Sequence, residues 1–345
     1  MSKVKSAVWL IPGFGLALVI AAVAKWLENL LPIHLIGASV IALFIGMFIN
    51  HFWKPNKMMA GGLKFTSKKI LKFAIILLGA SLSIGTILEV GKLSLVVMCF
   101  TLLTCFGGGY FVGKALGLNW KLSNLISAGT GICGGSAIAA IAPVIDAEDS
   151  DIAYAMSATF LFDMAMIVLF PIMGRALGLS DMAYGLWAGT AVNDTSSVVA
   201  AGYAYSEAAG DFATMVKLTR TLSIIPTVII FALIHVNLKR KAALASGNSE
   251  EIKADVKFSK LFPWFILGFL ALALVNSFGV IPVAVSKAAK SFSKFLMVSA
   301  LAAIGLNTSF KDMKKSGIQP MIHGFIISAL VVVVAIAVEW CMGLV

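Results

Sequence analysis

The chain has 345 residues, of which 60% are hydrophobic and only 12% are charged. Soluble domains are about 45–50% apolar and about 25% charged, so this composition excludes a soluble globular protein and predicts an all-α polytopic membrane protein. The net charge of +11 is concentrated in a few short connections, which is the positive-inside pattern of membrane proteins and not a surface for nucleic acid. The cysteines lie in apolar segments without paired spacing, so neither a disulfide framework nor a metal site is expected.

Apolar runs of about 20 residues, the length that spans a bilayer as a helix, predict about eleven transmembrane helices. These segments cover about 7–27, 33–52, 68–89, 93–117, 121–145, 150–175, 181–206, 209–237, 260–281, 286–308 and 315–343. The first run follows two lysines and resembles a secretory signal, but we interpret it as a span because apolar segments continue through the chain. The polar stretch 239–260 is interpreted as a linker between two halves or as a long cytoplasmic loop.

The charges predict an orientation. Lysine and arginine dominate the connections 53–72, 238–260 and 309–315, whereas the turn at 145–151 is acidic. An odd number of spans with a cytoplasmic N-terminus places all three basic connections on the cytoplasmic side, as the positive-inside rule requires.

An odd number of spans also fits one extra helix followed by two inverted five-helix repeats. Two faint internal similarities support this division: 36–40 resembles 188–192, and 123–137 aligns without gaps with 293–307. Inverted repeats of this kind predict two discontinuous helices that cross near the middle of the bilayer. The expected domains are the extra helix, 1–32, the first repeat, 33–180, and the second repeat, 181–345, which contains the loop 238–260.

The stretch 123–137 combines glycine and hydroxyl side chains within an apolar segment. Each glycine weakens a helix by about 1 kcal/mol relative to alanine, so a helix break is predicted, and lipid tolerates such a break only where protein or a wet cavity encloses it. Its backbone amides and the second half-helix would bind an anion, whereas close helix packing is the alternative. The predicted substrate-binding residues here are Thr130, Gly131, Cys133, Gly134, Gly135 and Ser136.

A second polar segment consists of five consecutive polar residues at 193–197. Because these side chains would point all round a helix, the segment must be enclosed or unwound. Asn193, Thr195 and Ser196 are predicted to bind the solute. Asp194 lies about midway through its span and is predicted to bind the coupling ion. A re-entrant loop with solvated side chains is the alternative.

Further polar residues lie inside other predicted spans. Asp163 is predicted to carry the coupling proton or to donate a structural hydrogen bond. Lys217 and Arg220 would neutralise Asp194 or Asp163, or one of them would supply positive charge to an anionic solute, for which the two N–H groups of Arg220 are suited. For Lys217 we favour the interpretation that it reaches the outer surface. Asn307 and Thr308 are further substrate-binding candidates, with an ordinary helix end as the alternative.

Two sequence blocks resemble a known family. SAGTGICGGSAI at 127–138 and WAGTAVNDTSSVVAA at 187–201 are similar to the characteristic blocks of the YeiH-type family of bacterial inner-membrane proteins, and the resemblance extends over nearly the whole chain. It implies sulfate export and a relation to bile-acid symporters and cation/proton antiporters. That relation implies a core domain with two crossing discontinuous helices, a scaffold domain, an elevator-like cycle and the ability to form a homodimer.

No enzyme signature or nucleotide-binding motif is found in the sequence, so we expect a protein that is not an enzyme. The leading hypothesis is a secondary transporter of a small anion (sulfate, sulfonate or carboxylate) driven by a proton or sodium gradient. Its partners would be the anionic solute and the lipid bilayer, with no cofactor apart from the coupling ion. The alternatives are a cation/proton antiporter that uses Asp194 and Asp163, and a membrane sensor or assembly subunit without transport activity.

Overall fold

The computed structural model describes residues 10–30, 38–245, 264–307 and 318–345. All regular elements within these ranges are helices. In chain order they are α1 (Ile11–Leu30), α2 (Ala38–Phe52), α3 (Lys57–Phe65), α4 (Leu71–Gly79), α5 (Ile84–Leu103), α6 (Gly109–Ala115), α7 (Trp120–Ala128), α8 (Gly135–Ile141), α9 (Asp149–Ala176), α10 (Asp181–Ala191), α11 (Thr195–Tyr205), α12 (Glu207–Leu222), α13 (Ile224–Ala245), α14 (Trp264–Ser277), α15 (Val283–Asn307) and α16 (Ile318–Cys341). Three single π-helical turns are also present: Thr66–Ile70 joins α3 to α4, Thr104–Gly108 joins α5 to α6, and Gly129–Cys133 extends α7.

Six helical stretches among the described residues are long and apolar enough to cross a membrane. They are Ile11–Glu28, Ile84–Ala115, Ser150–Ala176, Glu207–Leu238, Val283–Asn307 and Ile318–Cys341, and the shorter apolar helices Ile41–Phe52 and Trp264–Ser277 add to them. The structure therefore confirms a helical, multi-pass membrane protein. The number of about eleven spans and the division into 1–32, 33–180 and 181–345 stay predictions.

Two predicted boundaries are wrong. The expected connection between 68–89 and 93–117 lies earlier, at residues 80–83, and helix continues from there to Ala115. Ser83 sets this boundary because its side chain accepts a hydrogen bond from the Thr86 N–H and caps α5. The polar stretch predicted as a loop from residue 238 begins as helix, since α13 extends to Ala245; hydropathy alone does not mark where a helix ends in water.

The helices pack as two bundles. The first bundle consists of α1–α4, α14 and α15, and the second bundle consists of α5–α13 and α16. Within the first, α2 and α15 lie so close that a Cβ atom on Gly305 would fall 2.1 Å from the carbonyl oxygen of Leu43. Small residues allow membrane helices to approach in this way. The bundles meet where α11 lies against α2 and α15, and where α5 begins beside α14.

Two interrupted helices lie inside the second bundle. One is α7–α8 and the other is the pair α10–α11, and α12 packs against both. Helices α9 and α16 flank them. This packing encloses both interruptions in protein, which is the condition under which a membrane tolerates non-helical backbone.

Candidate functional site

The first interruption is the predicted break in the glycine-rich stretch. After a π-helical turn at Gly129–Cys133, Gly134 has φ +65° and ψ −135°, a conformation that side chains with a Cβ atom rarely adopt, and α8 begins at the next residue. A Cβ atom on Gly134 would lie 2.9 Å from Oδ1 of Asp194. The prediction of a broken helix is confirmed, and the break faces the second interruption directly.

The second interruption separates α10 from α11. Val192 is extended, and Asp194 caps α11 by accepting hydrogen bonds at Oδ2 from the N–H of Ser196, at 2.8 Å, and from the Ser196 hydroxyl. Asn193 is completely buried and Ser196 is buried. The segment is therefore unwound and largely enclosed, and the polar side chains that are partly exposed are those of Asp194 and Thr195.

Buried cations hold the carbonyl ends of both breaks. Arg220 donates from Nε to the carbonyl oxygen of Gly131, at 2.6 Å, from Nη1 to that of Val192, at 3.1 Å, and from Nη2 to that of Thr130. Lys217 Nζ donates to the same Val192 oxygen at 2.9 Å. Carbonyl groups at the C-terminal end of a helix lack a partner within the helix and carry partial negative charge, so cations are favourable there.

These contacts change the interpretation of both cations. Binding an anionic solute was one of the roles predicted for Arg220, but its guanidinium is directed at backbone oxygens and the residue is 1% exposed. Lys217 was expected to reach the outer surface, but it is completely buried. The sequence shows that a cation lies in a hydrophobic segment, but it does not show which backbone carbonyl groups accept its hydrogen bonds.

A carboxylate holds the amide end of the second break. Asp163 on α9 accepts hydrogen bonds from the N–H of Asn193, at 3.0 Å to Oδ1, and from the N–H of Asp194, at 3.1 Å to Oδ2. Its side chain acts here as an acceptor at both oxygens, not as the structural donor that was one of the predicted roles. The amide end of the second break thus faces a carboxylate and the carbonyl ends of both breaks face cations, which is an arrangement that compensates the dipoles of interrupted helices.

Neutral polar groups complete the enclosed part of the site. Asn193 Nδ2 donates to Oγ of Ser328 at 3.3 Å, and the hydroxyls of Thr130 and Ser328 lie 3.5 Å apart. Within the described part of the chain, Oδ1 of Asn193 has no hydrogen-bond partner. Sequence reasoning missed Ser328; its one signal is a hydroxyl side chain in the middle of the strongly apolar helix α16.

The residues that meet here are named the break cluster. Its members are Thr130, Gly131, Gly134, Asp163, Val192, Asn193, Asp194, Ser196, Lys217, Arg220 and Ser328. Most of these side chains are buried, whereas Asp194 is partly exposed. Next to it Gly135 and Thr195 are also partly exposed and Ser136 is exposed, while Cys133 is buried. The cluster therefore reaches the protein surface at Asp194, and we name Asp194 and Thr195 the open edge of the cluster.

The structure does not bring the third predicted polar segment into this cluster. Asn307 is exposed at the end of α15, and Thr308 lies outside the described residues. Helix α15 is unbroken, and Gly305 packs on α2. The expectation that 293–307 forms the partner of the glycine-rich break is wrong; residues 192–194 fill that place, because Gly305 serves close helix packing instead.

The chain matches a family model and several curated proteins. The family model is described as Conserved hypothetical protein 698 and matches residues 12–324. A UPF0324 membrane protein of Clostridium tetani is 58% identical, with 94% of this chain and 95% of that protein covered. A UPF0324 membrane protein of Streptococcus pyogenes serotype M18 is 40% identical over 97% and 98% of the two chains, and one of Streptococcus mutans is 37% identical over 96% and 97%.

A search of solved structures gives a weaker similarity. The sodium proton antiporter MjNhaP1 from Methanocaldococcus jannaschii, solved at pH 8, aligns over 98% of each chain with 16% identity and a TM-score of 0.30. A TM-score this low does not establish a shared fold. The family match and the relatives do decide identity: the chain belongs to the Conserved hypothetical protein 698 family of UPF0324 membrane proteins, the YeiH-type family that its two polar blocks resemble.

Proposed function

We propose that the protein is a secondary transporter of a small anion, coupled to a proton or sodium gradient. The observation that supports this is the meeting of two helix breaks whose backbone ends are held by buried charged side chains, with one edge of the cluster open. Charged groups inside a membrane protein are costly and mark solute or ion pathways by default. Broken helices that meet in this way typically form the binding sites of secondary transporters.

The open edge favours an anion as the solute. Helix α11 begins there, and the N–H of Thr195 at its first position has no hydrogen-bond partner among the described residues. The partly exposed Thr195 side chain adds a hydroxyl group there, and Ser136 presents an exposed hydroxyl group near the start of α8. The N-terminus of a helix attracts negative charge through its free N–H groups and its dipole, which suits sulfate, sulfonate or carboxylate.

Asp194 is the proposed coupling residue because it is the carboxylate of the cluster that reaches the open edge. Asp163 lies behind it and orients the Asp194 N–H. The two bundles suggest how access alternates: the second bundle, which contains the break cluster, would move against the first in an elevator-like cycle. The proposal places the protein in a bacterial inner membrane with a cytoplasmic N-terminus and allows a homodimer.

A cation/proton antiporter is the second candidate. It is favoured by one observation: the ionisable group at the open edge is an acid. In that case Asp194, with Asp163 behind it, would bind the transported cation and proton in turn, and no anion would enter.

Flux through the purified protein in proteoliposomes tests both candidates. Anion transport is measured with radiolabelled sulfate, taurine and a dicarboxylate. Cation/proton exchange is measured as proton movement driven by a sodium gradient. We expect anion flux in the wild type, its loss in Asp194→Asn, and retention in Asp181→Asn, which removes an exposed carboxylate bonded to Ser206 at the start of α10. Sodium-driven proton movement without anion flux would establish the second candidate. The absence of both fluxes would refute transport of these ions.

A further inference from the structure

The carbonyl ends of the two breaks are occupied by the protein's own cations. In transporters with interrupted helices, unwound carbonyl groups and C-terminal ends of half-helices are the groups that coordinate a sodium ion. Here the oxygens of Thr130 and Gly131 accept hydrogen bonds from Arg220, and the oxygen of Val192 accepts from both Arg220 and Lys217. A carbonyl oxygen has two lone pairs, so both acceptor positions on Val192 are in use.

We propose that Lys217 and Arg220 take the place of a bound sodium ion, and that the coupling ion is a proton carried by Asp194. This inference rests on the proposed transport function and narrows it. The guanidinium reaches both breaks at once, at 2.6 Å from Gly131 and 3.1 Å from Val192, and the ammonium adds a second charge at 2.9 Å from Val192. A sodium ion at these oxygens would have to displace two buried side chains.

The balance of charge in the cluster points the same way. The charged groups that face one another are the cations Lys217 and Arg220 and the carboxylates Asp163 and Asp194, and the thiols of Cys133 and Cys105 lie beside the cations. Counted in their usual ionised forms and with both thiols neutral, the two cations and the two carboxylates balance, and the balance also holds when Asp163 and Lys217 are both neutral. An added metal cation would leave an unbalanced positive charge in an enclosed site, which is costly.

Neutrality also links the proton to the anion. A proton on Asp194 leaves the cluster with one excess positive charge, and an anion at the open edge cancels it. Protonation and anion binding therefore favour each other, and such coupling is reciprocal by thermodynamic linkage. A monovalent anion therefore crosses with one proton.

Sodium-specific stabilisation of the purified full-length protein tests the inference without any transport measurement. Thermal unfolding is compared in sodium chloride and choline chloride at equal ionic strength. We expect the same Tm in both salts for the wild type. In Lys217→Gln, which frees a lone pair on Val192 and adds an amide oxygen beside it, we expect sodium to raise Tm by at least about 2 °C, because a ligand that binds the folded state stabilises it. Lys121→Gln is the matched control, since Lys121 also donates to a backbone oxygen, that of Asp146, but at an exposed position.

A sodium-specific rise in the wild type would overturn the inference, and so would the absence of any sodium response in Lys217→Gln. If Lys217→Gln does not fold, sulfate flux in sodium-free proteoliposomes decides. Flux driven by a pH gradient alone supports the inference, and a requirement for sodium contradicts it. Failure of the proposed function would be a separate result, namely the absence of every solute flux. The comparison of Tm in sodium chloride and choline chloride would still show whether the protein binds sodium.

Discussion

Arg220 is the largest fully buried side chain among the described residues, and its position explains why so large a cation is kept in an apolar interior. Its guanidinium fork reaches three carbonyl groups that belong to two separate helix breaks. Hydrogen bonds from charged donors are worth about 1.5–3 kcal/mol each. One residue thus joins the two interruptions, and we expect the site to depend on the shape of the side chain as well as on its charge.

At this scale we predict that Arg220→Lys destabilises the protein strongly. A lysine at this position keeps the charge but cannot reach three carbonyl groups, so about 3 kcal/mol or more of folding free energy is lost. Thermal unfolding in detergent measures the change. The control is Arg175→Lys, because exposed Arg175 also donates to two carbonyl oxygens, those of Ala204 and Tyr205; its cost should stay below about 1 kcal/mol. Equal Tm values for the two variants would contradict the bridging role of Arg220.

At the scale of the element, the breaks depend on the backbone at one glycine. Gly134 has a positive φ, and an added Cβ atom would approach Oδ1 of Asp194 to 2.9 Å and its Cβ to 3.0 Å. Gly135, the next residue, has only the terminal methyl group of Met156 within 4 Å of an added Cβ, at 3.9 Å. Two adjacent glycines in one segment therefore have different roles.

We predict that Gly134→Ala abolishes anion flux in proteoliposomes, because the side chain would force α8 away from α11. Gly135→Ala should fold normally, and it should be slightly more stable, by up to about 1 kcal/mol, because alanine favours a helix more than glycine does. Flux and Tm are measured on both variants. A fully active Gly134→Ala would mean that the close approach of the two breaks is dispensable.

The existence of both polar interruptions could be predicted from sequence because the physical signals are local. Glycines clustered in an apolar segment, as around Gly134, weaken a helix, and polar side chains such as Asn193 and Asp194 cannot all face one groove. The partner of each break could not be predicted in this way. Gly305 resembled a second break because small residues also occur where membrane helices pack closely, and the contacts made by Arg220 join positions that are 89 and 90 residues apart.

At the scale of the whole molecule, ion pairs connect the two bundles. Lys290 on α15 pairs with Asp211 on α12, and Tyr203 also donates to Asp211 at 2.6 Å. One turn further along α15, Lys294 pairs with Glu207 at 2.7 Å. If the bundles move against each other during transport, these contacts must separate, so they stabilise the arrangement seen here.

We predict that Lys290→Glu lowers Tm and that the charge swap Lys290→Glu with Asp211→Lys restores most of the loss. The pair is largely shielded from water on the Asp211 side, where the side chain is 10% exposed, so the coupling should be about 1–3 kcal/mol. Lys294→Glu is the control. Its partner side chain on Glu207 is 78% exposed, and such surface pairs contribute about 0–1 kcal/mol. A charge swap no more stable than the single reversal would show that this pair does not hold the bundles together.

The central claim at this scale is that water reaches the meeting point of the two breaks in the middle of the folded protein. Labelling of Thr195→Cys by a membrane-impermeant maleimide in native membranes tests it most directly, after the exposed thiols Cys99 and Cys341 have been replaced by serine. The control is Thr190→Cys, on the same pair of helices but completely buried. We expect the cysteine at 195 to be labelled and the one at 190 to react only after denaturation; an unlabelled cysteine at 195 that reacts only once the protein is denatured would contradict an open solute site.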